Sequence, residues 1–305
     1  MSLDMMPERL FFLNLLPQFL ANVQAPLISP VYVVGTVYLA ILFIGLLMDL
    51  FLFGRFLTLP FDWDGMAARI KSRPWLIKDA LWIVLILMLI QLCAGLMHWG
   101  GVKLGWFAAD ERETVTALIQ GVLFHGVALL VIWGLIRRRN SSWDEAFGLN
   151  WLRLKRAMGQ GVASYIGIIP IVFVTSLLCQ LFFYAAGYPV ALQDVVTIFL
   201  EPQSGWSLFF LLLLAVVVAP LVEEALFRGI LLPVLMKKMG LGTAVVVSSL
   251  FFAVIHQHLP SMAPLFILAV VLAMLYIHSG SLWAPIVLHG IFNGVSICIL
   301  LLTSA

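Results

Sequence analysis

The stretch Val216–Gly229, which reads V-V-V-A-P-L-V-E-E-A-L-F-R-G, is the most informative part of the chain for its fold class. Two adjacent glutamates and an arginine lie within an apolar run that begins near Trp206 and continues to Lys237. A carboxylate at membrane depth costs several kcal/mol, about 2.5 or more even on the most lenient insertion scales. A helix keeps such residues where they face a protein interior or a wet cavity. The stretch therefore predicts a membrane-embedded helix that carries a polar site.

The composition around this stretch is that of a membrane protein. Of the 305 residues, 63% are hydrophobic and only 10% are charged, and the mean hydropathy is +1.10. An average soluble domain is about 25% charged. The net charge of +2 gives no indication of a nucleic-acid partner. The three cysteines lie within apolar runs, without the spacing of a metal site or a disulfide framework. The composition predicts an all-α polytopic protein whose surroundings are the lipid bilayer.

Windows of about 20 apolar residues mark spanning helices, and the chain contains eight candidates, of which the sixth and seventh are short. The candidates are Val31–Phe53, Leu76–Met97, Thr114–Ile136, Gly161–Ala186, Ser207–Met236, Thr243–Leu259, Ala263–His278 and Leu282–Thr303. We predict three regions: an interfacial segment over residues 1–30, a four-helix region over 31–205 and a catalytic region over 206–303. The start is a poor signal peptide, since Asp4 and Glu8 are acidic and Pro17 interrupts its apolar part.

Lysine and arginine placement predicts the orientation in the membrane. Thirteen of the 17 basic residues lie in or beside three regions, residues 54–78, 137–160 and 237–238. This bias predicts cytoplasmic basic loops, with both termini outside the plasma membrane. Within the second loop, Trp143–Leu154 mixes aromatic and charged residues and predicts an amphipathic interfacial helix.

The glutamate pair and the arginine have a spacing that favours one ion pair. Residues four apart share a helix face, so Glu224 and Arg228 can pair. Glu223 points about 100° away and lacks this partner. A buried carboxyl without a partner tends to have a raised pKa, which suits general acid–base catalysis. Pro220 removes a backbone hydrogen bond and predicts a kink just before the pair.

Two later stretches add polar groups at helical spacing. In F-F-A-V-I-H, Phe252 and His256 share one face, and His289 and Asn293 do so in H-G-I-F-N. Each group alone is compatible with hydrogen bonding between helices. Together they favour hydrolysis of an amide by activated water. Glu223 would accept the proton of water that His256 helps to hold, and His289 and Asn293 would stabilise the oxyanion.

The order E-E-x-x-x-R, F-x-x-x-H and H-x-x-x-N resembles the CAAX-protease and bacteriocin-processing family, also called CPBP or ABI proteins. The resemblance covers about residues 206–300. It implies an intramembrane glutamic endopeptidase with an eight-helix core, no cofactor and a peptide or membrane-anchored protein as substrate. It also implies a set of catalytic residues, which here are Glu223, Glu224, Arg228, His256, His289 and Asn293.

Three alternatives stay open at this stage. A zinc site could be formed by His256, His289 and Glu223, since three such ligands and a water are typical of catalytic zinc. The chain could instead be a membrane protein that binds a partner or confers bacteriocin immunity without catalysis. A proton-coupled transporter would also use buried carboxyls and histidines, but the first four predicted helices contain few polar residues.

Overall fold

The structure is a computed structural model, and it describes residues 30–58, 62–105, 112–188, 193–201 and 204–304. Within these ranges the chain is helical and contains no β-strand. The predicted interfacial segment, residues 1–30, lies outside the described residues except for Pro30. The helices are α1 Pro30–Thr58, α2 Trp63–Lys71, α3 Ile77–Lys103, α4 Arg112–Arg138, α5 Trp143–Phe147, α6 Leu154–Ala185, α7 Asp194–Thr197, α8 Gly205–Met239, α9 Leu241–Ile255, α10 Met262–Ser279 and α11 Trp283–Ser304.

The predicted class, an all-α polytopic membrane protein, is confirmed. Seven helices in the described part of the chain are long and apolar enough to cross a membrane, and α9 is a shorter apolar helix of 15 residues. The sixth predicted span is therefore short, as its sequence window suggested. The seventh is longer than predicted, because a turn at Leu259–Ser261 leads directly into α10 and extends the apolar stretch.

Helix α6 is central to the packing of the bundle. It contacts α1, α10 and α11, while α8 packs between α9 and α11 and α3 pairs with α4. Small residues permit close approach of helices in a membrane. A Cβ atom at Gly161 would lie 2.8 Å from the carbonyl oxygen of Ala284, so only glycine fits where α6 meets α11. Because α6 shares this core with α10 and α11, the division at residue 205 stays a prediction.

One end of the bundle gathers the basic side chains, and we call it the basic end, defined by Arg69, Arg73, Arg139 and Lys237. Arg69 donates to the carbonyl oxygens of residues 277 and 278, at the C-terminal end of α10. Arg73 donates to carbonyl oxygens of residues 144, 145 and 280, and Lys237 to those of residues 73 and 75. These bonds join α2, α5, α8 and α10 at a single end.

The predicted interfacial helix over Trp143–Leu154 is wrong as a continuous element. The structure has the one-turn α5, ended by Gly148 at φ +70°, and then a 3₁₀ turn at Trp151–Arg153. Gly148 lies so close to the carbonyl of Gly280 that no larger residue fits there. Phe147 is fully buried and its ring lies 5.3 Å from that of Trp75. Tertiary packing thus turns the first half of the segment inward.

Candidate active site

Helix α8 carries the glutamate pair and is irregular on both sides of it. Two π-helical segments, Leu214–Val218 and Ala225–Leu231, flank the α-helical turn Ala219–Glu224. Such segments are rare and often occur at functional sites. Pro220 has no N–H, so it cannot bond the carbonyl of residue 215 in π geometry or that of residue 216 in α geometry.

Helix α11 compensates for the missing bonds at Pro220. The side-chain amide of Asn293 donates to the carbonyl oxygen of Ala215 at 2.9 Å. A Cβ atom at Gly290 would lie 2.7 Å from the carbonyl oxygen of Val216, so glycine permits this close approach. Asn293 is half-buried, and this bond uses one of its two amide hydrogens. The residue predicted to bind an oxyanion therefore also holds α8 against α11.

The ion pair expected from the sequence is present in the structure. The Nη1 atom of Arg228 lies 2.7 Å from Oε1 of Glu224, and the two side chains are 3% and 0% exposed. The Nη2 atom of Arg228 donates to the carbonyl oxygen of Ala269 on α10 at 3.1 Å. Burial of both charges is tolerable because each has a partner of opposite charge or a hydrogen bond.

His289 connects the two glutamates. Its Nδ1 atom lies 2.9 Å from Oε1 of Glu224, and its Nε2 atom lies 3.8 Å from Oε2 of Glu223. The second distance is longer than a hydrogen bond. We call Glu223, Glu224, Arg228 and His289 the interior polar cluster. Two carboxyl groups and one imidazole lie around a single guanidinium in it.

Glu223 is the most accessible member of the interior polar cluster. Its side chain is 22% exposed, against 5% or less for the other three. Its Oε2 atom has no hydrogen-bond partner among the described residues, and the same holds for Oε2 of Glu224. An unsatisfied buried acceptor is costly in a folded protein and is a place where a water or substrate can bind. The accessible carboxyl is thus next to a buried, paired one.

Phe252 forms an aromatic wall beside the cluster. The Cζ atom of Arg228 lies 4.5 Å from the centre of its ring, a cation–π distance. The ring of His289 meets it edge-on at 5.8 Å between ring centres, and the centre of the His256 ring lies 4.7 Å from that of Phe252. Straight helices would separate His256 from His289 along the membrane normal. The contact of both rings with Phe252 brings them to the same region.

His256 forms its hydrogen bond within its own helix. It lies at the C-terminal end of α9, and its Nδ1 atom is 2.7 Å from the carbonyl oxygen of Phe252. The following residue, Gln257, has φ +52°, so the chain turns sharply after the histidine. His256 is half-buried. Its position next to Phe252 places it at the edge of the interior polar cluster.

The ligands of the zinc alternative are not gathered in this structure. No three His, Cys, Asp or Glu side chains in the described part of the chain form a group that could hold a metal ion. His256, His289 and Glu223 are all among the described residues. The Nδ1 atom of His256 faces a backbone carbonyl, and that of His289 faces Glu224.

Sequence reasoning missed four features that support the site. The hydrogen bond from Arg228 to the carbonyl of Ala269 and the close approach at Gly290 depend on tertiary packing, and no short sequence motif predicts them. The π-helical segments were also missed, although Pro220 was a signal of irregular backbone. The role of Phe252 as a wall could have been inferred, since its spacing from His256 was recognised.

Comparisons with known proteins agree with the resemblance over the part of the chain that carries the candidate site. Residues 205–295 match the family described as "Type II CAAX prenyl endopeptidase Rce1-like". The chain is 37% identical over 101 residues to human CAAX prenyl protease 2, a match covering 30% of each chain. It is 27% identical over 217 residues to an uncharacterized 24.3 kDa protein of Escherichia coli, covering 66% of this chain and 90% of that protein. No solved structure gives a significant match.

The match of the family over residues 205–295 confirms the resemblance to the CAAX-protease family. It contains all six residues that the motifs predicted, from Glu223 to Asn293. The coarse class follows from the apolar helices and from this match: a multi-pass membrane protein whose residues 205–295 are similar to a family of CAAX proteases. The catalytic roles of the six residues and the substrate belong to the proposal below.

Proposed function

We propose that this chain is an intramembrane endopeptidase in which Glu223 activates the attacking water. The observation that carries the proposal is the geometry of the interior polar cluster. Glu223 is accessible and has an oxygen without a partner, while Glu224 next to it is buried and held by Arg228 and His289. Two carboxyl groups in different environments are typical of a division between a base and a structural partner.

In the proposed reaction the oxygen of water attacks the carbonyl carbon of the scissile amide while Glu223 accepts a proton. The C–N bond then breaks, and the proton on Glu223 passes to the nitrogen of the leaving amine. His256, anchored through Nδ1, helps to hold the water. Glu224 and Arg228 position His289 and are not in contact with the water in this scheme.

The oxyanion of the tetrahedral intermediate would lie against His289 and Asn293. The Nε2 atom of His289 points toward Glu223, so a protonated ring could share its hydrogen with the developing charge. Asn293 has a second amide hydrogen besides the one that holds Ala215. Preorganised donors of this kind typically contribute about 10²–10³-fold each to the rate.

The proposed substrate is a peptide or a membrane-anchored protein, of the prenylated or bacteriocin type. The support for it is the family match and the human relative, whose name specifies a CAAX prenyl protease. This inference also rests on the depth of the site within apolar helices.

We propose that the protein lies in the plasma membrane. In the proposed orientation the basic end faces the cytoplasm and both termini are outside the cell. Support comes from the clustering of Arg69, Arg73, Arg139 and Lys237 at one end of the helices. A cysteine placed at Ser142 on this end should react with a membrane-impermeant maleimide in inside-out vesicles and stay unlabelled in intact cells. Labelling in intact cells would reverse the orientation.

The test of the function is cleavage of a panel of peptides and membrane-anchored proteins by purified protein, comparing the unaltered chain with Glu223→Gln. Loss of the general base should lower the rate about 10²–10⁴-fold. Glu145→Gln makes the same chemical change on α5, outside the cluster, and should leave the rate unchanged.

The outcomes of this test separate the alternatives. Equal rates for Glu223→Gln and the unaltered chain would reject Glu223 as the base. Activity abolished by a chelator and restored by zinc would favour the metal alternative. Absence of cleavage across the panel, together with full biological function of Glu223→Gln, would favour a partner-binding or immunity role.

A further inference from the structure

The basic end contains a cavity whose lining includes none of the six predicted catalytic residues. Its volume is about 390 Å³, and it lies between the start of α3 and the end of α8. Three lysines line it, Lys78 from α3 and Lys237 and Lys238 from α8. Its remaining wall is apolar and includes Ile77 and Val234. The cavity thus combines three cations with a hydrophobic floor.

The positive charge of this cavity is not matched by acidic side chains. Within the described ranges, none of the three lysines forms an ion pair with a carboxylate. The nearby acidic residue, Asp79, is already used: both of its oxygens accept from Arg139, at 2.6 and 2.8 Å, and one also accepts the N–H of Leu76. Lys78 and Lys238 are therefore available to bind an external anion, and Lys237 adds a third positive charge.

Lys237 fixes the shape of the cavity. Its Nζ atom donates to the carbonyl oxygens of Arg73 and Trp75, at 2.6 and 2.8 Å. Neutral carbonyls orient the ammonium group without cancelling its charge. Trp75 also lines the cavity, is fully buried, and its indole N–H has no acceptor among the described residues. Lys78 and Lys238 are exposed and can move toward a ligand.

Further along α3 from the cavity, the exposed surface of the helix is apolar and can contact lipid acyl chains. Trp82 and Leu85 follow Lys78 at helical spacing on one face, and each side chain is 55% exposed. Leu81, four residues before Leu85 and on the same side of the helix, is 62% exposed. Tryptophan is enriched at the level of lipid headgroups. A ligand with an anionic head in the cavity could therefore lay an acyl chain along α3.

We infer that this cavity binds the phosphate headgroup of an anionic phospholipid in the leaflet that borders the basic end. Basic pockets between membrane helices are known to take such headgroups. The bound lipid would bridge α3 and α8 and so brace the helix that carries the glutamate pair. The inference is independent of whether the chain is a protease.

The experiment titrates phosphatidylglycerol into the full-length protein in neutral detergent and follows the thermal unfolding midpoint, from which an apparent affinity is obtained. Phosphatidylcholine is the uncharged reference lipid. The double variant Lys78→Gln with Lys238→Gln removes two cations of the cavity and keeps Lys237, which holds the wall. Each lysine near an anionic group contributes roughly a factor of five, so the variant should bind about 30-fold more weakly.

The matched control removes two lysines that are exposed elsewhere, Lys71→Gln with Lys155→Gln. The inference is supported if phosphatidylglycerol stabilises the unaltered chain more than phosphatidylcholine does, and if only the cavity variant loses this effect. If both double variants bind phosphatidylglycerol equally weakly, the effect comes from the overall positive charge and not from the cavity, and the inference is wrong. Absence of a preference for phosphatidylglycerol would also overturn it. Equal stabilisation by inorganic phosphate would assign the cavity to a free anion instead.

Discussion

At the basic end, Arg73 and Lys237 donate hydrogen bonds to backbone carbonyl oxygens, which are neutral. Inside the bundle, Arg228 instead donates to a carboxylate, that of Glu224. Neutral partners fix the positions of loops and keep the end of the bundle positive. A charged partner removes the positive charge locally and leaves excess carboxylate. The same residue type therefore organises structure in one region and sets the electrostatics of the candidate site in the other.

The two regions also differ in how completely their polar groups are satisfied. Asp79 at the basic end accepts three hydrogen bonds, from Arg139 and the N–H of Leu76. Glu223 and Glu224 each keep an oxygen without a partner among the described residues. Chemistry requires a group that can still accept a proton or bind water, and a satisfied carboxylate offers neither. The comparison thus favours the interior polar cluster as the reactive region.

The largest expected effect comes from removing the cation of the cluster. Arg228→Met leaves Glu224 buried beside Glu223 with no guanidinium, and we expect the free energy of unfolding to fall by about 3–5 kcal/mol. Unfolding in mixed micelles measures the change. Adding Glu224→Gln to this variant removes the uncompensated charge and should restore part of the loss.

The matched variant at the basic end is Arg73→Met, which leaves carbonyl groups rather than a carboxylate without a donor. Neutral carbonyl oxygens that lose a donor cost less than a buried carboxylate that loses its guanidinium, so this variant should be destabilised less than Arg228→Met. If Arg73→Met costs as much as Arg228→Met, the distinction between the two regions fails. If Glu224→Gln restores nothing, Arg228 acts through packing on Phe252 rather than through charge.

A smaller effect is expected where α11 supports α8. Asn293→Ala leaves the carbonyl of Ala215 without its donor and should cost about 1–2 kcal/mol. Pro220→Ala adds a backbone N–H at residue 220. This N–H can bond the carbonyl of Ala215, which has no backbone donor while residue 220 is proline. We expect Asn293→Ala to cost less than half as much when Pro220→Ala is present, and a double-mutant cycle of unfolding free energies measures this coupling.

Cleavage rates of the same variants sharpen the comparison. If Asn293 only supports α8, activity should recover together with stability in the double variant. If it also binds the oxyanion, the rate should stay about 10²–10³-fold low after stability has returned. An additive cycle, with no coupling, would contradict the link between Pro220 and Asn293.

Much of the fold could be predicted from the sequence because a membrane helix makes its backbone hydrogen bonds within its own segment. Apolar windows of the right length are sufficient evidence for a span, and the windows for α3, α4, α6 and α8 overlap the observed helices. The segment Trp143–Leu154 was mispredicted because a single positive-φ glycine and the pocket around Phe147 redirect it. Neither feature appears in the hydrophobic pattern.

The candidate site was partly predictable for a similar reason. Glu224 and Arg228 pair within one helix turn, so their spacing alone indicated the contact. The contacts of His289 with both glutamates join residues 65 or more positions apart, and no local pattern specifies them. Asn293 could be recognised as a polar residue at the site, but its bond to Ala215 depends on the carbonyl that Pro220 frees.

The sequence by itself determined that this protein is a helical membrane protein with a glutamate-based motif, since apolar length and helical spacing are local properties. Only the tertiary structure decided which glutamate is buried and paired, which one stays accessible, and that Phe252 lies against both histidines. These features depend on how α8, α9 and α11 approach one another. Between α8 and α11 the approach is set by the close contact at Gly290 and by the hydrogen bond of Asn293, which join residues distant along the chain.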